Sequence, residues 1–142
     1  MVNITMVKHS IEIYTDGSCL NNPNGPSGWA FCIVSKNSVL LQSGGVSNST
    51  NNRMELQAVI EALEWMKCSL ESIVLFSDSL LTVNCINGVW TPKSNLDLWN
   101  RCWEAKKGVK GSIQFKWVKA HNGNVYNEMV DKEARNAAKE LR

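Results

Sequence analysis

The tightest constraint on the fold is a run of four apolar residues, Ile73-Val74-Leu75-Phe76. It has no polar side to give to water, so it fits a short strand covered on both faces. Such a strand needs a sheet with layers above and below it. The flanking periodicities supply the layers. Residues 10–15 alternate, with Ile11 and Ile13 on one face and Glu12 and Tyr14 on the other. Residues 28–34 and 39–46 read as two further strands, after an Asn/Pro/Gly-rich loop and a Lys36-Asn37 turn. Three strands on short connections predict an antiparallel meander. Leu56, Val59, Ile60, Leu63 and Met66 make one apolar stripe of a helix that ends near Cys68. Helices are expected over 79–86, stopped by Asn87-Gly88, and over 95–107, with Leu96, Trp99 and Trp103 on one side. Ile113, Phe115 and Trp117 alternate in a strand over 112–118. A last helix over 125–141 turns Val130, Ala134, Ala137 and Leu141 inward. The order βββαβααβα predicts an α/β fold, a mixed five-stranded sheet flanked by helices.

Composition narrows the class. A chain of 142 residues is one domain by length, and 44% hydrophobic with 20% charged residues excludes disorder, collagen and coiled coil. No apolar run approaches the roughly 20 residues of a membrane helix. The start, MVNITMVKHS, lacks the charged and then apolar regions of a secretory signal. Cysteines 19, 32, 68, 85 and 102 are odd in number, widely spaced and without a C-x-x-C pair. That pattern fits reduced thiols in a cytoplasmic protein rather than a zinc cage or disulfide framework. Residues 1–92 hold 4 Lys/Arg against 7 Asp/Glu, and residues 93–142 hold 11 against 6. The basic end can face phosphates, although a solvated face is the plainer reading. With no second apolar face, a monomer is expected.

Two acids stand where open α/β sheets gather ligands, at the carboxyl ends of strands: Asp16 after the first and Asp78 after the fourth. Side by side they would repel unless a cation lay between them. Hard oxygen donors favour Mg²⁺ or Mn²⁺ over Zn²⁺. Glu55, in the first turn of the first long helix, and Asp131, near the start of the last, can complete a four-carboxylate cluster. Such a cluster suits two metals in phosphodiester hydrolysis. Plainer roles stay open for each. Asp78 can cap the next helix, Glu55 can complete a capping box with Asn52, Asp131 can pair with Arg135, and Asp16 can be a turn residue before Gly17.

The segments around these acids are specific. Tyr14-Thr15-Asp16-Gly17-Ser18-Cys19 with Asn22-Pro23, Thr50-Asn51-Asn52-Arg53-Met54-Glu55-Leu56 with Ala58, Phe76-Ser77-Asp78-Ser79, and Trp117-Val118-Lys119-Ala120-His121 followed by Asn127-Glu128, Asp131 and Ala134-Arg135 resemble the four signatures of type 1 ribonuclease H. They come in that family's order and at its spacing. The resemblance implies a ribonuclease H-like sheet whose strands 4 and 5 run parallel to strand 1. It implies an N-terminal extension at 1–9 and a catalytic domain at 10–142. The implied activity is a metal-dependent endonuclease that cuts the RNA strand of RNA–DNA hybrids, leaving 5′-phosphate and 3′-hydroxyl ends, in removal of primers and R-loops. Asp16, Glu55, Asp78 and Asp131 match the family's metal-binding acids, for two Mg²⁺ ions with Mn²⁺ as substitute. His121 matches a mobile histidine linked to proton transfer or product release, with an idle loop histidine as the alternative.

The backbone near Cys19, with Asn22, Asn51, Asn52 and Asn127, matches substrate-binding positions. Thr50 matches a residue that grips a DNA phosphate. Trp90 is expected to stack on a deoxyribose or to pack into the domain. The chain departs from many bacterial members between residues 87 and 94, where a long basic protrusion is missing, so it looks like the short form. It departs again at Leu80, where relatives carry Gln. With no hybrid-binding module or polymerase portion alongside, a free-standing catalytic domain is expected, with a piece of a reverse transcriptase as the alternative. Two rivals remain: a hybrid-binding module without catalysis, and a two-metal nuclease acting on DNA.

Overall fold

The computed structural model describes residues 11–141, so the expected extension at 1–9 lies outside the described residues. The order among them is β1 (Ile11–Cys19), β2 (Gly25–Ser35), β3 (Ser38–Ser49), α1 (Asn51–Trp65), β4 (Ile73–Ser77), α2 (Leu80–Ile86), α3 (Leu96–Gly108), β5 (Ile113–Trp117) and α4 (Val125–Lys139). This is the expected βββαβααβα. The sheet runs β3-β2-β1-β4-β5, with β1, β2 and β3 an antiparallel meander and β4 and β5 parallel to β1.

Period-two alternation along β1 separates two cores rather than core from water. Ile13 joins Phe31 and Leu75 under Leu56, Ile60 and Leu63 of α1 and Trp99 and Cys102 of α3. Tyr14, one residue on, joins Ala30 and Cys32 under Val130 and Ala134 of α4. β4 is sealed on both sides, with Ile73, Val74 and Leu75 at most 1% exposed. α4 lies flat on β2 because Gly28 has no side chain: a Cβ there would overlap the Ala134 carbonyl.

Two expected inward positions are corrected. Leu96 is exposed, because α3 starts from a left-handed Asn95 (φ 56°) and buries Leu98, Trp99, Cys102 and Ala105 instead. On α4 the buried row is Val130, Ala134 and Ala138, while Leu141, beyond the end at Lys139, is exposed. Polar ties hold α3 to α1: Arg101 reaches Glu61 and Glu64, and Arg53 reaches Asp97. Among the described residues, no helix is long and apolar enough to cross a membrane.

Candidate active site

β1 and β4 are parallel neighbours whose last paired residues are Thr15 and Ser77. Asp78 directly follows β4, whereas Asp16 lies inside β1, which runs on to Cys19 against β2 instead of ending at residue 15 as expected; the parallel register still delivers both carboxylates to one edge of the sheet, just past the last β1–β4 pair. Local bonds hold the edge. The Thr15 hydroxyl donates to the Phe76 carbonyl at 3.2 Å, and the Trp117 indole N–H donates to the Asp78 carbonyl at 3.1 Å. Asp78 does not cap α2; Ser79 does, accepting from the Thr82 N–H at 3.2 Å.

Glu55 is the fifth residue of α1, past the first turn, because the helix already begins at Asn51. Its cap is Thr50, whose hydroxyl accepts from the Arg53 N–H at 3.2 Å, so no capping box with Asn52 forms. Gly17 brings Glu55 to Asp16. A Cβ on Gly17 would run into the backbone of Met54 and Glu55, so only glycine lets β1 and α1 meet here. The Gly17 N–H then donates both to Glu55 Oε1 and to Asp16 Oδ1. One oxygen from each of Asp16, Glu55 and Asp78 falls within 4.8 Å of the others.

Crowding of acids has an electrical consequence. Burial, helped by the charges of Asp78 and Asp131, pushes Asp16 up to about 7, against the pull of Glu55 and the Gly17 N–H. Burial and then the facing Asp16 hold Glu55 well above the usual carboxylate range. Without a cation the site therefore keeps a proton that a cation would displace. The converging donors are carboxylate oxygens, without thiol or imidazole, which fits Mg²⁺ or Mn²⁺.

Asp131 is placed differently. It sits on α4 close enough for its charge to raise Asp16, yet outside the group of three. Its Oδ2 accepts from Arg135 at 3.0 Å, the plainer pairing anticipated for it. Asn127, one turn earlier, is 2% exposed, and among the described residues its Oδ1 meets no donor. His121 lies on the exposed turn between β5 and α4 with φ 54°.

Three other candidates, Cys19, Asn22 and Asn51, are bonded to one another. The Asn51 N–H donates to Asn22 Oδ1 at 2.9 Å, and the Cys19 N–H donates to Asn51 Oδ1 at 2.7 Å. Each amide oxygen thereby accepts one backbone N–H, and the two exposed side chains also carry amide N–H donors. The Cys19 thiol points inward to the carbonyls of Leu20, Gly25 and Ser49. Asn52 is exposed on the first turn of α1. Trp90 is 45% exposed on the loop between α2 and α3, so it is not fully packed into the domain. The structure thus joins Asp16, Glu55 and Asp78, and joins Cys19, Asn22 and Asn51. Asp131 and Asn127 share α4, and His121 and Trp90 stand on two separate loops. Sequence reasoning missed two residues that position the acids. Gly17 was visible as a glycine directly after an acid expected at a strand end, whereas nothing in the sequence marks Trp117 as the anchor of Asp78.

With this geometry in hand, comparison with known proteins is specific. The RNase H family model matches residues 8–139. A ribonuclease H of Campylobacter jejuni is 48% identical over 141 residues, covering 93% of this chain and 92% of that one. One from Xanthomonas campestris is 42% identical over 143 residues, covering 91% and 92%. The structure of LC11-RNase H1, solved with an RNA/DNA hybrid, superposes with a TM-score of 0.80 at 25% identity, covering 92% of this chain and 97% of that one. The N-terminal RNase H domain of a Mycobacterium tuberculosis protein gives 0.80 at 22%, covering 94% and 96%, and shares the fold. This chain belongs to the type 1 ribonuclease H family of RNA-hydrolysing nucleases.

Proposed function

We infer that the chain is an endonuclease that hydrolyses the RNA strand of RNA–DNA hybrids with two divalent cations, Mg²⁺ or in its place Mn²⁺. The observation that carries this reading is the convergence of Asp16, Glu55 and Asp78 where the β1–β4 pairing ends, with burial raising Asp16 and Glu55 above the usual carboxylate range. These three residues hold the ions, and Asp131 joins from α4. When bound, the ions activate a water and stabilise the leaving oxygen. Water attacks phosphorus, the bond to the 3′-oxygen breaks, and 5′-phosphate and 3′-hydroxyl ends result. His121, exposed on its turn, exchanges a proton at a ring nitrogen with the reacting groups or the leaving product.

Substrate grip follows from the bonded group of Cys19, Asn22 and Asn51. Asn22 and Asn51 offer amide N–H donors to the groove, with one backbone N–H already on each oxygen. Acceptors are what every base pair presents in the minor groove, so these donors read the groove without reading sequence. Ribose 2′-hydroxyls, which both donate and accept, distinguish the RNA strand. The backbone near Cys19, Asn52 and the Glu55 carboxylate supply further partners, whereas the Asn127 side chain is buried away from the surface. Thr50 holds a DNA phosphate and Trp90 stacks on a deoxyribose. The similar LC11-RNase H1 forms a complex with an RNA/DNA hybrid, which supports hybrid over other duplexes as the substrate here. Primer and R-loop removal are the cellular tasks for this chemistry.

An end-labelled hybrid, single-stranded RNA and duplex DNA, each with Mg²⁺, Mn²⁺ or EDTA, test the reading on one gel. The expected result is metal-dependent cutting of the hybrid's RNA strand alone. Cutting of duplex DNA, or no cutting by folded protein with either metal, overturns it.

A further inference from the structure

Arg53 stands in the first turn of α1, where the helix N-terminus disfavours a cation. Its side chain leaves the helix for α3, donating from Nη1 and Nη2 to the two Asp97 oxygens at 3.0 and 2.7 Å. Nη1 also donates to Asn95 Oδ1 at 3.2 Å. Asn95 occupies the capping position of α3 in a left-handed conformation, yet makes no side-chain cap bond. An amide that would ordinarily serve its own helix is given to Arg53 instead.

The segment fastened this way is the short connection between α2 and α3, residues 87–95. Its other end is fastened too: Asn87 Nδ2 donates to the Phe115 carbonyl of β5 at 3.0 Å. Between these anchors the connection carries Trp90 and Lys93. Across a narrow crevice, Pro92, Lys93 and Asn95 face Asn52 and Thr82. As a source of stability the tie is weak, because Asp97 is 65% exposed and exposed ion pairs add little. A planar two-pronged contact does fix distance and angle. What it fixes is the 87–95 segment relative to Asn51 and Asn52.

We propose that Arg53, Asp97 and Asn95 are positioning residues that set the spacing between the Asn51-Asn52 side of the substrate groove and the Trp90-Lys93 side. This rests on the hybrid-cutting reading above. In a chain without a long basic protrusion, the short segment grips a duplex only if it is held at the right width, and the clamp provides that hold. The clamp touches neither the three acids nor the reacting atoms, so it acts on binding rather than on the chemical step.

Steady-state kinetics on a defined hybrid test this. Asp97→Ala is expected to raise KM about fivefold with kcat within about twofold of wild type. Arg53→Lys keeps the charge but loses the fork, and is expected to fall between the two. Trp90→Ala is expected to raise KM in the wild-type background and to add little to Asp97→Ala, because both act through one segment. An unchanged KM in Asp97→Ala, a loss confined to kcat, or fully multiplicative effects with Trp90→Ala would overturn the clamp alone. A wild-type chain that leaves the hybrid uncut overturns the clamp together with the reading on which it rests.

Discussion

The acids on β1, on α1 and directly after β4 and the acid on α4 reach the same corner of the molecule by different routes. Asp16 and Asp78 are delivered by parallel strand register, and Glu55 by a backbone contact that only Gly17 permits. Those three are locked in place before any ligand arrives, with Asp16 and Glu55 raised by burial. Asp131 rides on a helix whose outer face meets water, and it already has a partner in Arg135. One half of the site is made by folding and strained electrically. The other half is paired with Arg135, and in the proposed reading it is recruited when metal and substrate bind. The difference teaches that a cluster legible as four equal acids in sequence is three plus one in space.

Asp16→Asn should break the preformed half most completely. A neutral ligand there is expected to lower kcat about a thousandfold or more while the fold survives, as read by single-turnover cleavage beside circular dichroism. Its effect on stability has a definite sign. In the folded chain Asp16 titrates at about 7 rather than 3.8, so the folded state holds its proton after the unfolded state has lost it. Stability from this group is fully present below the unfolded value and is lost as pH rises through about 7. In EDTA, wild type should therefore lose on the order of 1–3 kcal/mol between about pH 4 and pH 8, and Asp16→Asn should lose less.

Gly17→Ala attacks the same half through packing. The added methyl has only the Met54 and Glu55 backbone to meet, so α1 must move. Destabilisation of about 1–3 kcal/mol in urea unfolding, with a clear loss of activity, is the expected outcome. Wild-type stability and rate would mean that β1 and α1 are less closely apposed than described.

Asp131→Asn sharpens the comparison from the other side. Its expected loss of kcat, about 10- to 100-fold, is smaller than that of Asp16→Asn, and its EDTA stability profile should shift only slightly, because the Asp131 charge is the smallest of the influences on Asp16. Smallest of all is Arg135→Gln, which frees Asp131 from an exposed partner. The metal concentration for half-maximal activity should fall about two- to threefold, with stability changed by less than about 0.5 kcal/mol.

Much of this was legible in the sequence, for identifiable reasons. The apolar run at 73–76 demanded a sheet covered on both faces, and β4 is buried on both. Alternation and helical spacing placed every element in order, because periodicity is what a layered core imposes on a chain. Spacing could not show which face a helix end turns to. Leu96 looked apolar enough to bury, but the left-handed Asn95 starts α3 with that residue in water. Asn52 had the look of a cap, but Thr50, two residues earlier, takes that place. The pairing of Arg53 with Asp97 joins residues 44 apart in the chain, a contact for which local pattern carries no signal.

The central contrast, three acids ready and one recruited, is tested most directly by counting ions. Isothermal titration of the free protein with Mn²⁺, in wild type, Asp16→Asn and Asp131→Asn, reads stoichiometry without any substrate. The account predicts one ion per chain in wild type, none in Asp16→Asn and one, little weakened, in Asp131→Asn. Two equivalent ions in the free wild type, or loss of the single ion in Asp131→Asn, would contradict it.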